Sequence, residues 1–307
     1  MKSAAFRCAA LLITICSLAA PSLAVDVKDS DRVYTNFVRE AATVGDRKFR
    51  LEVRGMTLDN EGGPELTLAG VPVETFERER NICTRGNKTP CVAPNDFKLD
   101  EVQGGVFDLL GSYGIGTSIE VGVDVPLYVQ KSRFLEATDG TPNDPEVSQT
   151  INATDVGDVL FYGKYRHQLA ENCAVAGGLE LTVPTGEERD GFGTGDAGFN
   201  PFVSTRYQRG PFAVGGHLGY LLYAGSAANV VNWSVETILR GTALYSLRVE
   251  LSGRYLEDYG QKEHDIVVLP GIDFYLTDYF GIRPTGLVGL RDESPDWGIG
   301  IGIVATL

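Results

Sequence analysis

Past its first two dozen positions this 307-residue chain holds no run of about eighteen consecutive apolar residues, the least that a membrane-spanning helix needs. A helical anchor is thereby excluded, and any segment that crosses a bilayer must cross it as a strand. Basic residues are also scarce: 27 Lys and Arg stand against 41 Asp and Glu, for a formal charge of −14. Such a balance argues against nucleic acid and against an anionic lipid surface as partner. The chain has three His, and no spacing matches an EF-hand loop; no metal and no cofactor are expected. Covalent catalysis needs a nucleophile, a base and a group that orients the base. His167 falls at a predicted turn and His264 in a predicted loop, while His217 has Gly215 and Gly219 as its same-face neighbours, which supply no nucleophile. The sequence therefore reads as a non-enzyme.

Five cysteines are present. Cys83 and Cys91 bracket a polar stretch, and in an oxidising compartment a disulfide stapling that loop is the expected reading. A zinc site is the alternative, although no His lies nearby. Cys173 beside a predicted turn reads as a small apolar residue.

What the chain does have begins with Lys2 and Arg7, an apolar run over residues 8–18, and the small-x-small triplet Ser22-Leu23-Ala24. This is the pattern of a Sec-type signal peptide, residues 1–24, cleaved after Ala24. In residues 25–46, Val33, Tyr34, Phe37, Val38, Ala41 and Ala42 recur at helical spacing, with Ser30 or Asp31 to start a helix and Gly45 to end it. A short amphipathic periplasmic helix is expected there, either a plug for the barrel lumen or a loose tail.

From residue 47 to residue 307 the period changes to two. Ile119, Val121, Val123, Val125 and Leu127 alternate with Glu120, Gly122 and Asp124; Leu247, Val249 and Leu251 alternate with Arg248, Glu250 and Ser252. About twelve such strands succeed one another, with long or polar connections after the odd strands and short turns after the even ones. Residues 59–98 and 132–155 read as the longest loops, with a hairpin over residues 66–73 at the rim. A soluble sandwich has no reason to sort loop length by parity. An outer-membrane barrel does, because its periplasmic turns are short and its extracellular loops long. The fold class expected is therefore all-β: a transmembrane antiparallel up-and-down β-barrel of about 12 strands with a short N-terminal helix. Charged residues of the non-lipid face become candidates for the lumen: Glu120, Asp124, Glu180, His217, Arg248, Glu250, Arg254 and Arg283. Tyr128, Tyr165, Tyr207, Phe212, Tyr255, Phe280 and Trp297, near strand ends, are candidates for interfacial aromatic girdles.

Three short patterns carry a family resemblance. Gly157-Asp158-Val159 with Lys164-Tyr165-Arg166, then Leu181-Thr182-Val183-Pro184-Thr185-Gly186, then Gly193-Thr194-Gly195 closely resemble the outer-membrane protein family associated with the meta-pathway of phenol degradation. The likeness covers about residues 157–225. It implies a bacterial, Gram-negative outer-membrane barrel that passes small hydrophobic or aromatic molecules. The chain departs from that pattern in its long cysteine-bearing first loop and in ending on Leu307, where many such barrels end on Phe or Trp. The expected partners are outer-membrane lipid and lipopolysaccharide, the barrel-assembly machinery and a small-molecule solute. A structural or adhesive barrel without transport is the alternative, and an outer-membrane enzyme a more remote one.

Overall fold

The computed structural model describes residues 41–61, 97–136, 148–187, 192–225, 229–258, 261–291 and 294–307. Thirteen strands occupy them: β1 (Phe49–Glu61), β2 (Phe97–Ile115), β3 (Ile119–Glu136), β4 (Ser148–Val156), β5 (Val159–Ala170), β6 (Cys173–Val183), β7 (Gly198–Arg209), β8 (Phe212–Tyr223), β9 (Asn229–Arg240), β10 (Tyr245–Asp258), β11 (Gln261–Tyr275), β12 (Phe280–Gly289) and β13 (Trp297–Thr306). Each pairs antiparallel with its neighbours, and the sheet closes where β1 pairs with β13 on one side and with β2 on the other. β4 and β5 both lie along β3, opposite its outer and inner halves respectively. Between the pairs Leu127↔Val156 and Asp124↔Leu160 one side has an extra residue, so Gly157-Asp158 is a bulge inside a single barrel strand. The result is a closed 12-strand antiparallel barrel.

The alternation dictates which face looks where. Along β10, Leu247, Val249 and Leu251 are exposed, whereas Ser246, Arg248, Glu250 and Ser252 are buried. The same inversion holds around the ring: Phe107, Phe161, Leu181, Phe199, Tyr220, Ile301 and Ile303 face outward, and Glu52, Glu120, Lys164, Asp273 and Arg283 face inward. In water this arrangement would expose far more contiguous apolar surface than a soluble monomer carries. In lipid it is the stable one, because closure leaves no unpaired strand edge and the apolar band meets hydrocarbon. On β3 the outward residues stay apolar from Ile119 to Val129 and give way to exposed Lys131, which places the outer membrane boundary near residue 130. Tyr113, Tyr165, Phe212 and Phe280 are exposed near the opposite ends of their strands, beside the short turns, where aromatic girdles sit.

Several expectations need correction. Residues 132–136 and 148–156 are not loop: β3 and β4 form a paired ribbon that rises past the apolar band. Beyond the membrane boundary neither face needs to be apolar, so the sequence there lacks the alternation that marks a strand. β2 likewise starts at Phe97 and β1 runs to Glu61, inside the stretch read as irregular. Tyr128 belongs to the inner face, on the parity of Glu120 and Asp124, and stacks on Phe192 with ring centroids 5.9 Å apart; it is no girdle residue. Cys173 is disulfide-bonded as well as buried, not merely a small apolar residue; nothing in sequence spacing reveals a partner brought close by the fold. The expected signal peptide, most of the expected helix, the hairpin over residues 66–73 and the Cys83–Cys91 pairing lie outside the described residues.

Residues 41–48, which the sequence assigned partly to that helix, are not helical. They run along the inner wall at the end bearing the short turns. Ala41 packs on Ala174 and Ala176 of β6, and the Val44 N–H donates to Oε2 of Glu120 at 2.7 Å. The Arg47 N–H donates to the Gly114 carbonyl and the Gly114 N–H to the Lys48 carbonyl, both at 3.0 Å. Gly45, at φ 96°, takes the left-handed turn this path needs.

Candidate functional site

Charges inside a barrel must find partners, because a lone buried ion costs several kcal/mol. The interior is accordingly a set of linked polar clusters, and all eight residues singled out in the sequence have side chains on its inner face.

Nearest the short turns, Glu120 is 0% exposed and gathers three donors. These are the Lys164 ammonium at 3.2 Å, the Tyr162 hydroxyl at 2.8 Å and the Val44 N–H at 2.7 Å. β3 supplies the carboxylate, β5 the two side chains, and the N-terminal segment the backbone donor.

At mid-height Arg283 of β12, 3% exposed, donates from Nε to Asp273 Oδ1 at 2.9 Å and from Nη1 to Glu52 Oε1 at 3.4 Å. It thereby ties β11 to β1 across β12 and β13. Arg248 lies 3.8 Å from each of Glu236, Glu250 and Asp273 and donates to the Thr285 hydroxyl at 3.0 Å. Arg54 forms a forked contact with Asp108 at 3.0 and 3.2 Å. Asp124 is half-buried, and its Oδ1 accepts no hydrogen bond among the described residues. Arg54, Asp108, Arg248, Arg283 and Thr285 share a cavity of about 240 Å³ with Met56, Leu58, Val106 and Leu269. Its wall is mostly apolar with a few charged groups set into it, which is the lining that small organic ligands meet in most sites.

A third cluster spans β6 to β9. Ser204 Oγ lies 3.1 Å from His217 Nδ1, and His217 Nε2 lies 2.9 Å from Asn232 Oδ1. Asn232 in turn donates to Asn200 at 3.4 Å, and Asn200 to Glu180 at 2.6 Å. His217 thus does have a hydroxyl partner, which reading along one strand missed because Ser204 comes from the neighbouring strand, directly opposite in register. The order hydroxyl, imidazole, amide is that of an acyl-transfer triad. Two features separate it from a working one. Ser204 is fully buried, and the backbone around it is committed to the β6, β7 and β8 ladders, leaving no pair of N–H donors for an oxyanion, usually the largest catalytic term. The arrangement satisfies buried polar groups in series and braces four adjacent strands.

Towards the long-loop end Arg254 grips Asp265 with Nε and Nη2 at 3.1 and 2.8 Å. There too the three motif fragments converge: Gly157-Asp158 meets Thr185-Gly186 and Gly193-Thr194. No group of three or more His, Cys, Asp or Glu residues among those described could hold a metal ion.

No family profile and no curated protein sequence matches the chain. Solved structures do. An outer-membrane channel from Pseudomonas putida F1 superposes with a TM-score of 0.56 at 13% identity, covering 87% of this chain and 98% of that one. The NanC porin superposes with a TM-score of 0.52 at 12% identity, covering 84% of this chain and 100% of that one. At such identities the likeness is one of fold: this chain has the architecture of outer-membrane barrel channels.

Proposed function

We propose that the protein is a passive outer-membrane channel for small molecules with substantial apolar or aromatic surface. The observation that carries this reading is the inversion of the barrel, with a predominantly apolar exterior around an interior of paired charges that borders a largely apolar cavity. Eight-stranded barrels are filled by their own side chains and sixteen-stranded ones hold an open aqueous channel, so twelve strands leave a narrow lumen. The eight inward-facing residues named from sequence are the groups a passing solute meets, or the groups that hold those it meets. Residues 41–48 line the inner wall at the periplasmic mouth and narrow it. The resemblance of the three motifs to the phenol-pathway family and the architecture shared with known channels support the same reading.

The test is electrical and osmotic. Purified protein in a planar bilayer should give discrete conductance steps, and proteoliposomes should swell faster in small aromatic alcohols than control vesicles do. A barrel that inserts, migrates heat-modifiably on gels and yet passes neither ions nor solutes would be a structural or adhesive protein instead.

A further inference from the structure

Between β6 and β7 the described residues of the connection, 184–187 and 192–197, do not arch away from the barrel. They turn back inside, and one carboxylate holds them there. Asp158 projects from the bulge between β4 and β5, opposite Val125 and Pro126, a level at which the outer face of β3 still carries Val125, Leu127 and Val129. This is within the membrane band. Asp158 Oδ1 accepts the Gly186 N–H at 3.0 Å, and Oδ2 accepts the Thr194 N–H at 2.9 Å and the Thr194 hydroxyl at 3.1 Å. Thr185 closes the other side: its hydroxyl donates to the Gly157 carbonyl at 2.7 Å and accepts the Val159 N–H at 3.0 Å.

The glycines are there because backbone and carboxylate approach too closely for a Cβ. One added at Gly193 would collide with Asp158 Oδ1, one at Gly186 with the Phe192 carbonyl, and one at Gly157 with the Tyr128 ring. The ring so accommodated stacks on Phe192, with interplanar angle 12°. Phe192 is 1% exposed although it belongs to a connection between strands. A free loop buries no phenylalanine to that extent; a loop latched against the inner wall does.

We infer that Asp158 is a specificity-determining positioning residue, which pins residues 192–194 against Tyr128 so that this strap narrows the extracellular part of the lumen and sets the size of solute admitted. The inference rests on the channel reading for its consequence, though not for its geometry. The carboxylate acts through Phe192 and needs no contact with the solute. Two acceptor oxygens are required because donors arrive from both arms of the connection, 28 and 36 residues away in sequence.

The experiment compares wild type with Asp158→Ala, Phe192→Ala and the double variant, each first checked for heat-modifiable folding. Exposed Asp155→Ala, in the same ribbon, is the control. In planar bilayers the two single variants should raise single-channel conductance at least about 1.5-fold, as expected when the tightest section of a narrow lumen widens. In vesicle swelling the cut-off should move to larger solutes. The double variant should add little to either single one, because loss of the ring and loss of the latch clear the same constriction, and Asp158→Glu, which keeps a carboxylate, should fall between wild type and Asp158→Ala. A second readout needs no conduction: a bulky maleimide should label Phe192→Cys in intact outer membranes only when Asp158 is also replaced by Ala. Folded variants with unchanged cut-off, or Phe192→Cys labelled equally with Asp158 present, would overturn the inference. A wild-type barrel that passes nothing would sink the channel reading, while the labelling would still decide whether the strap is latched.

Discussion

A Cβ at Gly114 would overlap the carbonyl oxygen of Gly45, so the inner wall of β2 is bare where the N-terminal segment lies on it. Hydrogen bonds hold that segment: Val44 to Glu120, Thr43 to the Thr117 carbonyl, Arg47 to the Gly114 carbonyl, the Gly114 N–H to the Lys48 carbonyl, and the Gly116 N–H to Asp46. Gly114→Ala forces backbone out of the way, not a flexible side chain, so the segment must leave its seat. The expected outcome is a barrel that assembles normally and conducts more than wild type, and deleting residues 26–44 should have the same sign. Equal conductance in all three proteins would mean that the seated segment does not restrict the mouth.

Glu120 offers a sharper energetic test. Lys164→Met removes the ammonium that faces a carboxylate of 0% exposure, and stripping one partner from a buried pair costs about 3–5 kcal/mol. Urea titration of the folded band in detergent should show that loss. Glu120→Gln in the same chain should recover much of it, since Tyr162 and Val44 still find an acceptor in the amide oxygen. A double variant no more stable than Lys164→Met would place the cost in lost packing of the lysine stem.

The membrane face and the inner face are separable at adjacent residues. Leu251 is exposed on the apolar belt and Ser252 is buried inside. Arginine at a lipid-facing midplane position costs about 2–4 kcal/mol, so Leu251→Arg should reduce the yield of heat-modifiable barrel. Ser252→Arg adds a cation to an interior that already hosts Arg248 and Arg254, and should assemble. Equal yields would reverse the face assignment.

These faces were legible in the sequence because period-two alternation survives wherever one side meets lipid, as along β3 up to Val129 and along most of β10. It fades in β4, where both sides meet water, and breaks at Gly157-Asp158, where the extra residue of the bulge flips the parity of the strand. Individual inward charges such as Glu120 and Arg283 could be named from parity, but not paired. Pairing depends on strand register, and Arg283 meets Glu52 across 231 positions. Ser204 beside His217 was hidden for the same reason. The motif fragments around Asp158, Gly186 and Gly193 were visible as a resemblance, whereas the reason for their spacing, one carboxylate serving three donors, appears only once the strands are placed.

Arg283 belongs both to the buried charge network and to the wall of the cavity. Its Nε and Nη1 serve Asp273 and Glu52, it lies buried against the cavity, and its Nη2 has no acceptor among the described residues. Arg283→Met leaves two carboxylates at 0% and 1% exposure with less compensation, a guanidinium still near them being that of Arg248, 3.8 Å from Asp273. The one change should have two effects. Stability in detergent should fall by about 3–5 kcal/mol, the usual penalty for orphaning a buried charge. If Arg248 and the surviving fold keep the carboxylates ionised, the reversal potential in a salt gradient should also move towards cation preference, since the lumen has lost one positive charge. Arg283→Lys separates the two effects: it keeps the charge, so selectivity should stay near wild type, but an ammonium cannot span Asp273 and Glu52 with a planar fork, so part of the stability loss should remain. A Lys variant that matches Met in selectivity would show that geometry at this position, and not charge, governs which ions pass.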